Sequence, residues 1–309
     1  MKSIFVYSPL SADQQQQLLD AVADSATVHF AEEGKMPDAN FLSEMEILFG
    51  NPPVSWLENA HNLKFWQLDS AGFAIYCRLK LNAVVANMGD YFSRPCAETI
   101  LGGILSYYRG LHHLMQAQMK KQWISGSVRQ HSDRLSGKNV LLLGAGSIGR
   151  EIKNLLQPFG CTITMAAQTN PEAAIHGDEL LFRKIGEFDL VINTLPGSAI
   201  GKVSSALISK MKNGVVYASI GRGITTDEHA LTVALQSGKI AGAILDVTEK
   251  EPLPDDSPLW SMPNVILTQH TGGGFATENA GKLEQFLRNF ERYQKGEALQ
   301  NQVELSRAY

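Results

Sequence analysis

The sequence predicts an α/β protein with two domains, and three observations support this fold class. Its 309 residues exceed the usual size of a chain with a single core. Short apolar runs alternate with helical patterns, which is typical of parallel sheets whose strands are joined by helices. A glycine-rich turn lies in mid-chain, at residues 144–149, and begins a second series of this kind. The second domain is therefore predicted to be inserted into the first.

The first hundred residues supply the elements of one sheet. The predicted elements are strands at residues 3–7, 26–30 and 63–68 and a helix at residues 13–23. Residues 98–119 predict one long helix, because apolar residues recur there at spacings of three and four. The polar stretch at residues 120–138 is predicted to be a connection that packs against a partner subunit.

The second series begins with an apolar run directly before the glycine turn. The predicted strands are at residues 139–143, 162–165, 190–193, 215–219, 243–246 and 265–268. A closing helix is predicted at about residues 277–293, where Leu283, Phe286, Leu287 and Phe290 form a buried stripe. This helix is expected to return to the first domain.

Composition and charge exclude several classes of protein. A net charge of −4 argues against a nucleic-acid or anionic-membrane surface, and no apolar segment reaches membrane-spanning length. Cys77, Cys96 and Cys161 are odd in number and widely spaced, without a C-x-x-C pair or zinc-ligand spacing. We therefore expect reduced structural thiols, no metal site and a cytoplasmic location.

The glycine turn predicts a dinucleotide site. Gly144, Gly146 and Gly149 follow a predicted strand and open a predicted helix. Glycines at these positions permit a tight turn and a close approach to a pyrophosphate, which the amides at the helix N-terminus then bind. The alternative, a plain strand–helix turn, does not require all three glycines in this context.

The position that usually distinguishes the two nicotinamide dinucleotides lacks its acid. About twenty residues beyond the turn, an acidic side chain normally binds the adenosine ribose, but this chain has Ala167 there. No carboxylate would repel a 2′-phosphate, and Gln168, Thr169 and Asn170 could donate hydrogen bonds to one. The sequence therefore predicts NAD(P) as cofactor and mildly favours NADP.

Arg222 is the candidate cation for an acidic substrate. It lies between Gly221 and Gly223, directly after a predicted strand. Ligands bind at the carboxyl ends of parallel strands, and a guanidinium group pairs with a carboxylate in bidentate fashion. The alternative is a surface arginine beside a turn.

His270 is the candidate proton donor. Among the eight histidines it alone follows a strand end and precedes a run of glycines. Imidazole can donate a proton near neutral pH, as the reduction of a carbonyl requires. A carboxylate could orient the ring, and Asp246, Glu249 and Glu251 are all candidates for that role by composition.

Together these motifs resemble the D-isomer-specific 2-hydroxyacid dehydrogenase family over nearly the whole chain. The matching segments are Leu68-Asp69-Ser70-Ala71-Gly72, Asn87, Ala97-Glu98, the Gly144 turn, Leu195-Pro196, Gly221-Arg222-Gly223, Asp246-Val247, Glu251-Pro252-Leu253-Pro254, Pro258-Leu259-Trp260, Pro263-Asn264-Val265 and His270. Their order is specific for the family and does not distinguish its members.

The resemblance implies a role for each matched position. Arg222 would bind the substrate carboxylate and polarise the carbonyl, His270 would donate or accept the proton, and Glu251 would be its partner. The backbone around Ser70, Ala71 and Gly72 would also hold the carboxylate. The cofactor-binding residues would be Gly144, Gly146, Ser147, Ile148, Gly149, Gln168, Leu195, Pro196, Ile220, Gly221, Asp246 and Gly272.

The resemblance also implies a domain arrangement and an assembly. Residues 1–98 together with 277–309 would form a flavodoxin-like substrate-binding domain, and residues 99–276 a Rossmann-type dinucleotide-binding domain. The family is usually dimeric, with the long helix and the following arm in the contact. Two further departures from the family pattern, Ser219 for asparagine and Gln269 for proline, are expected to adjust loop shape without removing chemistry.

The leading hypothesis is an enzyme that transfers a hydride between NAD(P) and a small 2-keto or 2-hydroxy acid, similar to glyoxylate/hydroxypyruvate reductases. A second hypothesis is a dinucleotide-sensing interaction protein similar to the corepressors with this fold, although this chain shows no long disordered tail. A formate dehydrogenase on the same scaffold is disfavoured, because formate oxidation needs no proton transfer and would not require the Glu251–His270 pair.

Overall fold

Two six-stranded sheets organise the chain in the computed structural model, which describes residues 1–32, 34–58 and 60–307. One sheet belongs to a compact unit made of Met1–Tyr91 and the described part of Phe275–Tyr309. The other belongs to a second compact unit, Phe92–Gly274. The predicted α/β class with an inserted second sheet is thereby confirmed.

The elements are numbered in chain order. The strands are β1 (Lys2–Val6), β2 (Ala26–Phe30), β3 (Ile47–Phe49), β4 (Phe65–Gln67), β5 (Val84–Ala86), β6 (Asn139–Leu143), β7 (Thr162–Ala166), β8 (Leu190–Asn193), β9 (Val215–Ser219), β10 (Ile240–Leu245), β11 (Val265–Leu267) and β12 (Gln302–Val303). The helices are α1 (Ala12–Val22), α2 (Ala39–Glu44), α3 (Val54–Leu57), α4 (Ser93–Tyr108), α5 (Leu111–Met119), α6 (Ser125–His131), α7 (Ser147–Leu156), α8 (Asp178–Lys184), α9 (Ser205–Lys210), α10 (Glu228–Gln236) and α11 (Glu278–Gln294). Short 3-10 turns lie at Ala74–Tyr76, Gln157–Phe159, Ile185–Glu187, Gly223–Thr225, Pro258–Ser261 and Leu305–Arg307.

The sheet of the first unit has the strand order β12-β5-β4-β3-β1-β2, parallel except for β12. The closing helix α11 packs on it through an aromatic stack, with the ring of Phe286 4.6 Å from that of Phe49 and 5.9 Å from that of Phe65. Aromatic side chains bury large apolar areas, so this stack anchors the C-terminal helix to the sheet of its own unit.

The sheet of the second unit is parallel throughout, in the order β11-β10-β9-β8-β6-β7. Side chains of β6 alternate between two buried clusters, with Leu141 on one face and Val140 and Leu142 on the other. From β6 the chain runs outward to β7 and then crosses to β8 on the opposite side of β6. Ligands of open α/β sheets bind at such a reversal of strand order, outside the carboxyl ends of the strands.

The chain passes from one unit to the other at residues that differ from the predicted domain boundaries. The predicted boundaries are at 98/99 and 276/277, whereas the chain passes between the units at 91/92 and 274/275. Helix α4 is the reason at the first join, because it begins at Ser93 and its buried side chains, Ile100 and Ile104 among them, belong to the core of the second unit. The roles assigned to the two domains stay predictions.

The predicted single helix at residues 98–119 is two helices. Helix α4 ends at Tyr108 and α5 begins at Leu111, and Gly110 between them has a φ of +64°. Left-handed backbone of this kind cannot continue a right-handed helix, and glycine adopts it without steric cost.

The predicted connection at residues 120–138 contains the helix α6, and the short strands β5 and β12 were not predicted. None of the described helices is long and apolar enough to cross a membrane.

Candidate active site

The glycine turn after β6 has the geometry of a phosphate cradle. Gly144 has a φ of +111°, and a Cβ atom on it would lie 2.4 Å from the Thr194 hydroxyl oxygen. A Cβ on Gly149 would lie 2.5 Å from the Gly144 carbonyl oxygen, so only glycine allows the helix to pack on the turn. Gly146 is the N-cap residue of α7, and a Cβ atom on it would have no described atom within 4 Å. No described side chain makes a capping hydrogen bond at this end of the helix. The free amides of Ser147 and Ile148 at this end therefore fit the pyrophosphate of a dinucleotide.

Apart from Gln168, the other predicted cofactor residues lie on the loops that follow β8, β9, β10 and β11, and these loops touch. A Cβ on Gly221 would lie 2.3 Å from the Leu195 carbonyl oxygen, next to Pro196. A Cβ on Gly272 would lie 2.7 Å from a carboxylate oxygen of Asp246 and 2.8 Å from the Cδ1 atom of Ile220. The residues predicted to bind the cofactor therefore form one continuous surface at the carboxyl ends of the strands.

The loop after β7 carries the position where the ribose acid is missing. Gln168 and Thr169 are exposed, and Gln168 lines an apolar recess of about 50 Å³ with Leu143, Ala166, Ala167, Ile175 and Leu195 among its walls. Asn170, which is also a predicted hydrogen-bond donor to a 2′-phosphate, makes hydrogen bonds within the protein. Its amide nitrogen donates to the Ala145 carbonyl at 2.8 Å and its side-chain oxygen accepts from the Glu172 amide at 2.9 Å. Asn170 therefore ties this loop to the glycine turn.

Arg222 lies half-buried at the carboxyl end of β9. Its Nη1 atom donates to the carbonyl of Gly221 at 2.7 Å, which folds the side chain back on its own loop. A Cβ on Gly223 would lie only 1.8 Å from the Thr248 carbonyl oxygen. The loop that carries Arg222 is thus in backbone contact with the loop after β8 on one side and the loop after β10 on the other.

His270 contacts Glu251, with 2.6 Å between its Nδ1 atom and the Glu251 Oε2 atom. The second carboxylate oxygen of Glu251 accepts the backbone amide of Thr248 at 3.1 Å. Glu251 therefore fixes the ring orientation and leaves the Nε2 atom of His270 available to a substrate.

Geometry decides among the three acids that composition left open. Asp246 is buried and accepts from the Thr268 hydroxyl at 2.6 Å and from the Gly272 amide at 3.0 Å, so its carboxylate holds the loop around His270 instead of the ring. Glu249 is exposed, and only Glu251 among the three contacts the imidazole in the described part of the chain.

The backbone at His270 has an uncommon conformation. Gln269 and His270 have φ values of +52° and +56°, in the left-handed region that non-glycine residues rarely adopt. The His270 amide donates to the Asp246 carbonyl at 2.6 Å, which holds this conformation in place. Proline fixes φ near −65°, so the proline usual in the family could not adopt the backbone that Gln269 has here.

A cavity of about 460 Å³ lies beside the Glu251–His270 pair. Besides these two residues it is lined by Leu245, Asp246, Thr248, Pro252, Leu253, Trp260, Leu267 and Gln269. The indole nitrogen of Trp260 donates to the Pro254 carbonyl at 2.9 Å, which fixes the ring at the cavity wall.

The predicted carboxylate-binding backbone at Ser70, Ala71 and Gly72 belongs to the first unit. The Asn87 amide donates to the Ala71 carbonyl at 2.6 Å, and the Ser70 hydroxyl donates to the Gly72 carbonyl at 2.7 Å. The Asn51 amide donates in turn to the Ser70 hydroxyl at 2.8 Å. The loop is thus firmly held, and its contact with a substrate stays a prediction.

Several residues that hold the site together were not found from the sequence. Asn193 at the end of β8 and Thr225 beyond Arg222 are fully buried and hydrogen-bonded below the Arg222 loop. The signal that could reveal Asn193 is a polar side chain at the end of an otherwise apolar strand. Among the described residues no group of three or more His, Cys, Asp or Glu side chains could hold a metal ion.

The fold and these loops define a dinucleotide-binding α/β oxidoreductase, and comparisons with known proteins specify the family. Residues 101–272, more than half of the chain, match the D-isomer specific 2-hydroxyacid dehydrogenase NAD binding domain. An uncharacterized protein from Corynebacterium melassecola is 32% identical over 285 residues, which are 88% of this chain and 90% of that protein. The chain therefore belongs to the D-isomer specific 2-hydroxyacid dehydrogenase family.

Two further relatives have more informative names. Glyoxylate/hydroxypyruvate reductase A of Salmonella paratyphi B is 32% identical over 177 residues, which are 55% of this chain and only 56% of that reductase. A D-isomer specific 2-hydroxyacid dehydrogenase from Xanthobacter autotrophicus Py2, solved with NADPH and MES, has a TM-score of 0.81 at 26% identity and covers 100% of this chain and 99% of its own. The predicted two-domain fold with a Rossmann-type cofactor domain is confirmed by this likeness.

Membership settles the class of activity. The chain is an NAD(P)-dependent oxidoreductase of the 2-hydroxyacid dehydrogenase type, as the leading hypothesis predicted. No finding supports the alternative of a dinucleotide-sensing corepressor.

The two glycines beside Arg222 give separable predictions. Gly223→Ala should lower kcat/KM about 100-fold, because parting the Arg222 and Thr248 backbones by about an ångström misplaces both Arg222 and the amide that holds Glu251. Gly221→Ala presses instead on Leu195 and should mainly raise the dinucleotide Kd. Steady-state kinetics and fluorescence titration of NAD(P)H measure the two effects, with circular dichroism to verify folding. A Gly223→Ala enzyme with wild-type kcat/KM would contradict the argument.

Proposed function

We propose that this protein reduces glyoxylate, hydroxypyruvate or a similarly small 2-keto acid to the corresponding 2-hydroxy acid. The contact between His270 and Glu251, on a loop next to the one that carries Arg222, is the observation on which the proposal rests. The proposal is supported by the position of His270 and Arg222, which follow strands at the sheet edge that also carries the glycine turn. The name of the Salmonella reductase supports the choice of substrates.

Each side chain has a distinct part in this reaction. Arg222 binds the substrate carboxylate and turns the carbonyl oxygen toward His270. When bound, the reduced dinucleotide supplies a hydride to the carbonyl carbon. The Nε2 atom of His270 delivers the proton to the carbonyl oxygen while Nδ1 keeps its hydrogen bond to Glu251. The ring is neutral after the transfer, and Glu251 continues to hold its orientation.

We also propose that the protein prefers NADPH to NADH. No carboxylate stands at Ala167 to repel a 2′-phosphate, and Gln168 and Thr169 are exposed there as hydrogen-bond donors. Arg150 lies close by, with Nη1 donating to the Ala145 carbonyl at 3.3 Å and lying 3.9 Å from Glu172. The structure of the Xanthobacter relative contains NADPH.

A spectrophotometric screen tests the substrate and the cofactor together. Glyoxylate, hydroxypyruvate, pyruvate, phenylpyruvate and oxaloacetate are each offered with NADPH and with NADH at matched concentrations. We expect the highest kcat/KM with glyoxylate or hydroxypyruvate, and a higher value with NADPH. Equal or better turnover with NADH would refute the cofactor preference, and inactivity on the two small acids would refute the substrate proposal.

Replacement of the proton donor tests the mechanism. His270→Ala should lower kcat by about 10²-fold to 10⁴-fold, because general acid catalysis contributes on that scale, while the NADPH Kd stays within about twofold. His229→Ala on the exposed side of α10 is the matched control and should keep wild-type kinetics. Undiminished turnover in the His270 variant would exclude its assigned role.

We further propose a homodimer that uses α5 and the following arm. These segments expose large apolar side chains, including Met119 at 86% and Trp123 at 93%. Exposed apolar patches commonly mark association surfaces. Sedimentation velocity should give a species of about twice 33.8 kDa, and Met115→Asp combined with Met119→Asp should give the monomer. A wild-type protein that sediments as a monomer at micromolar concentration would overturn this proposal.

A cytoplasmic location is proposed from the cysteines. In the described chain Cys77, Cys96 and Cys161 are free, and burial raises the pKa of the Cys96 thiol to about 11, so that this thiol is not nucleophilic at neutral pH. Recovery of the protein from an exported fraction of the cell would contradict this location.

A further inference from the structure

A cluster of four buried polar side chains lies beneath the loops that follow β8 and β9. Asn193, Tyr217 and Thr225 have no exposed surface, and Thr226 is 7% exposed. Burial of polar groups costs free energy unless their hydrogen bonds are replaced within the protein. The positions of these four residues therefore need a structural reason.

The four side chains satisfy one another around the carboxamide of Asn193. Its Nδ2 atom donates to the Thr225 hydroxyl at 2.8 Å, with the Tyr217 hydroxyl at 2.9 Å and the Thr226 hydroxyl at 3.2 Å. The hydroxyls of Tyr217 and Thr226 are 2.6 Å apart. Burial raises the pKa of Tyr217, so the cluster stays uncharged over the working pH range.

Hydrogen bonds connect the cluster to two loops of the candidate active site. The Thr225 hydroxyl donates to the Arg222 carbonyl at 2.6 Å, and the Thr225 backbone amide donates to the same oxygen at 3.1 Å. On the other side the Asn193 side-chain oxygen accepts the backbone amide of Leu195 at 3.0 Å. Leu195 belongs to the predicted cofactor surface, so Asn193 connects that surface to the arginine.

The position of the Arg222 guanidinium depends on this anchoring. Its Nη1 atom is bonded to the Gly221 carbonyl of its own loop, so the side chain moves with the loop backbone. The hydroxyl of Thr225 donates to the carbonyl of Arg222 itself, whereas the hydroxyl of Thr226 bonds, among the described residues, only within the cluster. The two neighbouring threonines therefore make similar buried hydrogen bonds within the cluster. In the described chain, only the hydroxyl of Thr225 also bonds to Arg222.

We propose that Asn193 and Thr225 are positioning residues, which hold Arg222 at the distance from the cofactor surface that binding of a 2-keto acid carboxylate requires. The proposal rests on the proposed function, because it assigns to Arg222 the contact with the substrate. It adds that affinity for the carboxylate is set by a buried carboxamide and a buried hydroxyl that touch neither ligand.

The threonine pair provides a matched experiment. Thr225→Val and Thr226→Val each remove one buried hydroxyl and keep the shape of the side chain. Thr225→Val should raise the KM for glyoxylate roughly fivefold to tenfold, the scale of one lost hydrogen bond. Its kcat should change less, because Arg222 binds ground state and transition state alike. Thr226→Val should leave KM within about twofold, and neither variant should change the NADPH Kd measured by fluorescence titration.

Two companion variants separate the inference from the proposed function. Thr225→Ser restores the hydroxyl and should restore the wild-type KM. Arg222→Gln should itself raise the KM, and Thr225→Val should add nothing in that background. If Arg222→Gln leaves KM unchanged, the proposed role of Arg222 fails. If Arg222→Gln raises KM but the two valine variants behave alike, the inference is overturned. Should a valine variant not fold, Thr225→Ala and Thr226→Ala carry the same comparison.

Discussion

The backbone contact between the Arg222 loop and its neighbours is the constraint on which the candidate active site depends. Gly221 lies against the backbone of Leu195, and Gly223 lies against the backbone of Thr248. Because Thr248 binds Glu251 and Glu251 binds His270, the cation, the carboxylate and the imidazole share one rigid framework. Each of these three residues is thus connected to a neighbouring loop. Under the proposed function this framework would orient the reacting groups before a substrate binds, which lowers the entropic cost of a reaction.

The parallel sheet explains why this framework is so tight. β8, β9 and β10 are neighbours in the sheet, and adjacent strands are only about 4.8 Å apart. Loops that leave adjacent strands at the same edge therefore begin within contact distance of one another. Side chains at the points of contact would force the loops apart, and glycine is the residue that keeps backbone against backbone. Arg222 lies between two such points, so its side chain is the part of this loop segment that is free to reach a ligand.

The sequence pointed to the candidate residues that carry their own chemistry and did not point to those proposed to act by position. Arg222, His270 and the glycine turn were recognisable because each follows a predicted strand and supplies a group that few other residues can supply. Glu251 was chosen over Asp246 only by resemblance, since the difference lies in where each carboxylate points. Asn193 was missed because one polar residue at the end of an apolar run also marks the end of a strand. In the fold, β5 and β12 have three and two residues and show no periodicity, and the break at Gly110 lies within an apolar pattern that continues across it.

A polar cluster beneath the arginine loop is hard to explain by stability alone. Replacing all partners of a buried hydrogen-bonded group by apolar side chains of similar shape is often nearly neutral for folding, so four apolar side chains in place of the cluster would lose little beyond the acceptor of the Leu195 amide. Apolar packing is non-directional, however, and it would fix the Arg222 loop only to within the tolerance of a contact surface. Hydrogen bonds specify distance and angle together. A guanidinium group that pairs with a planar carboxylate needs both the right distance and the right angle. The buried hydrogen bonds of Asn193 and Thr225 occur where the orientation of the loop backbone determines the orientation of the Arg222 guanidinium.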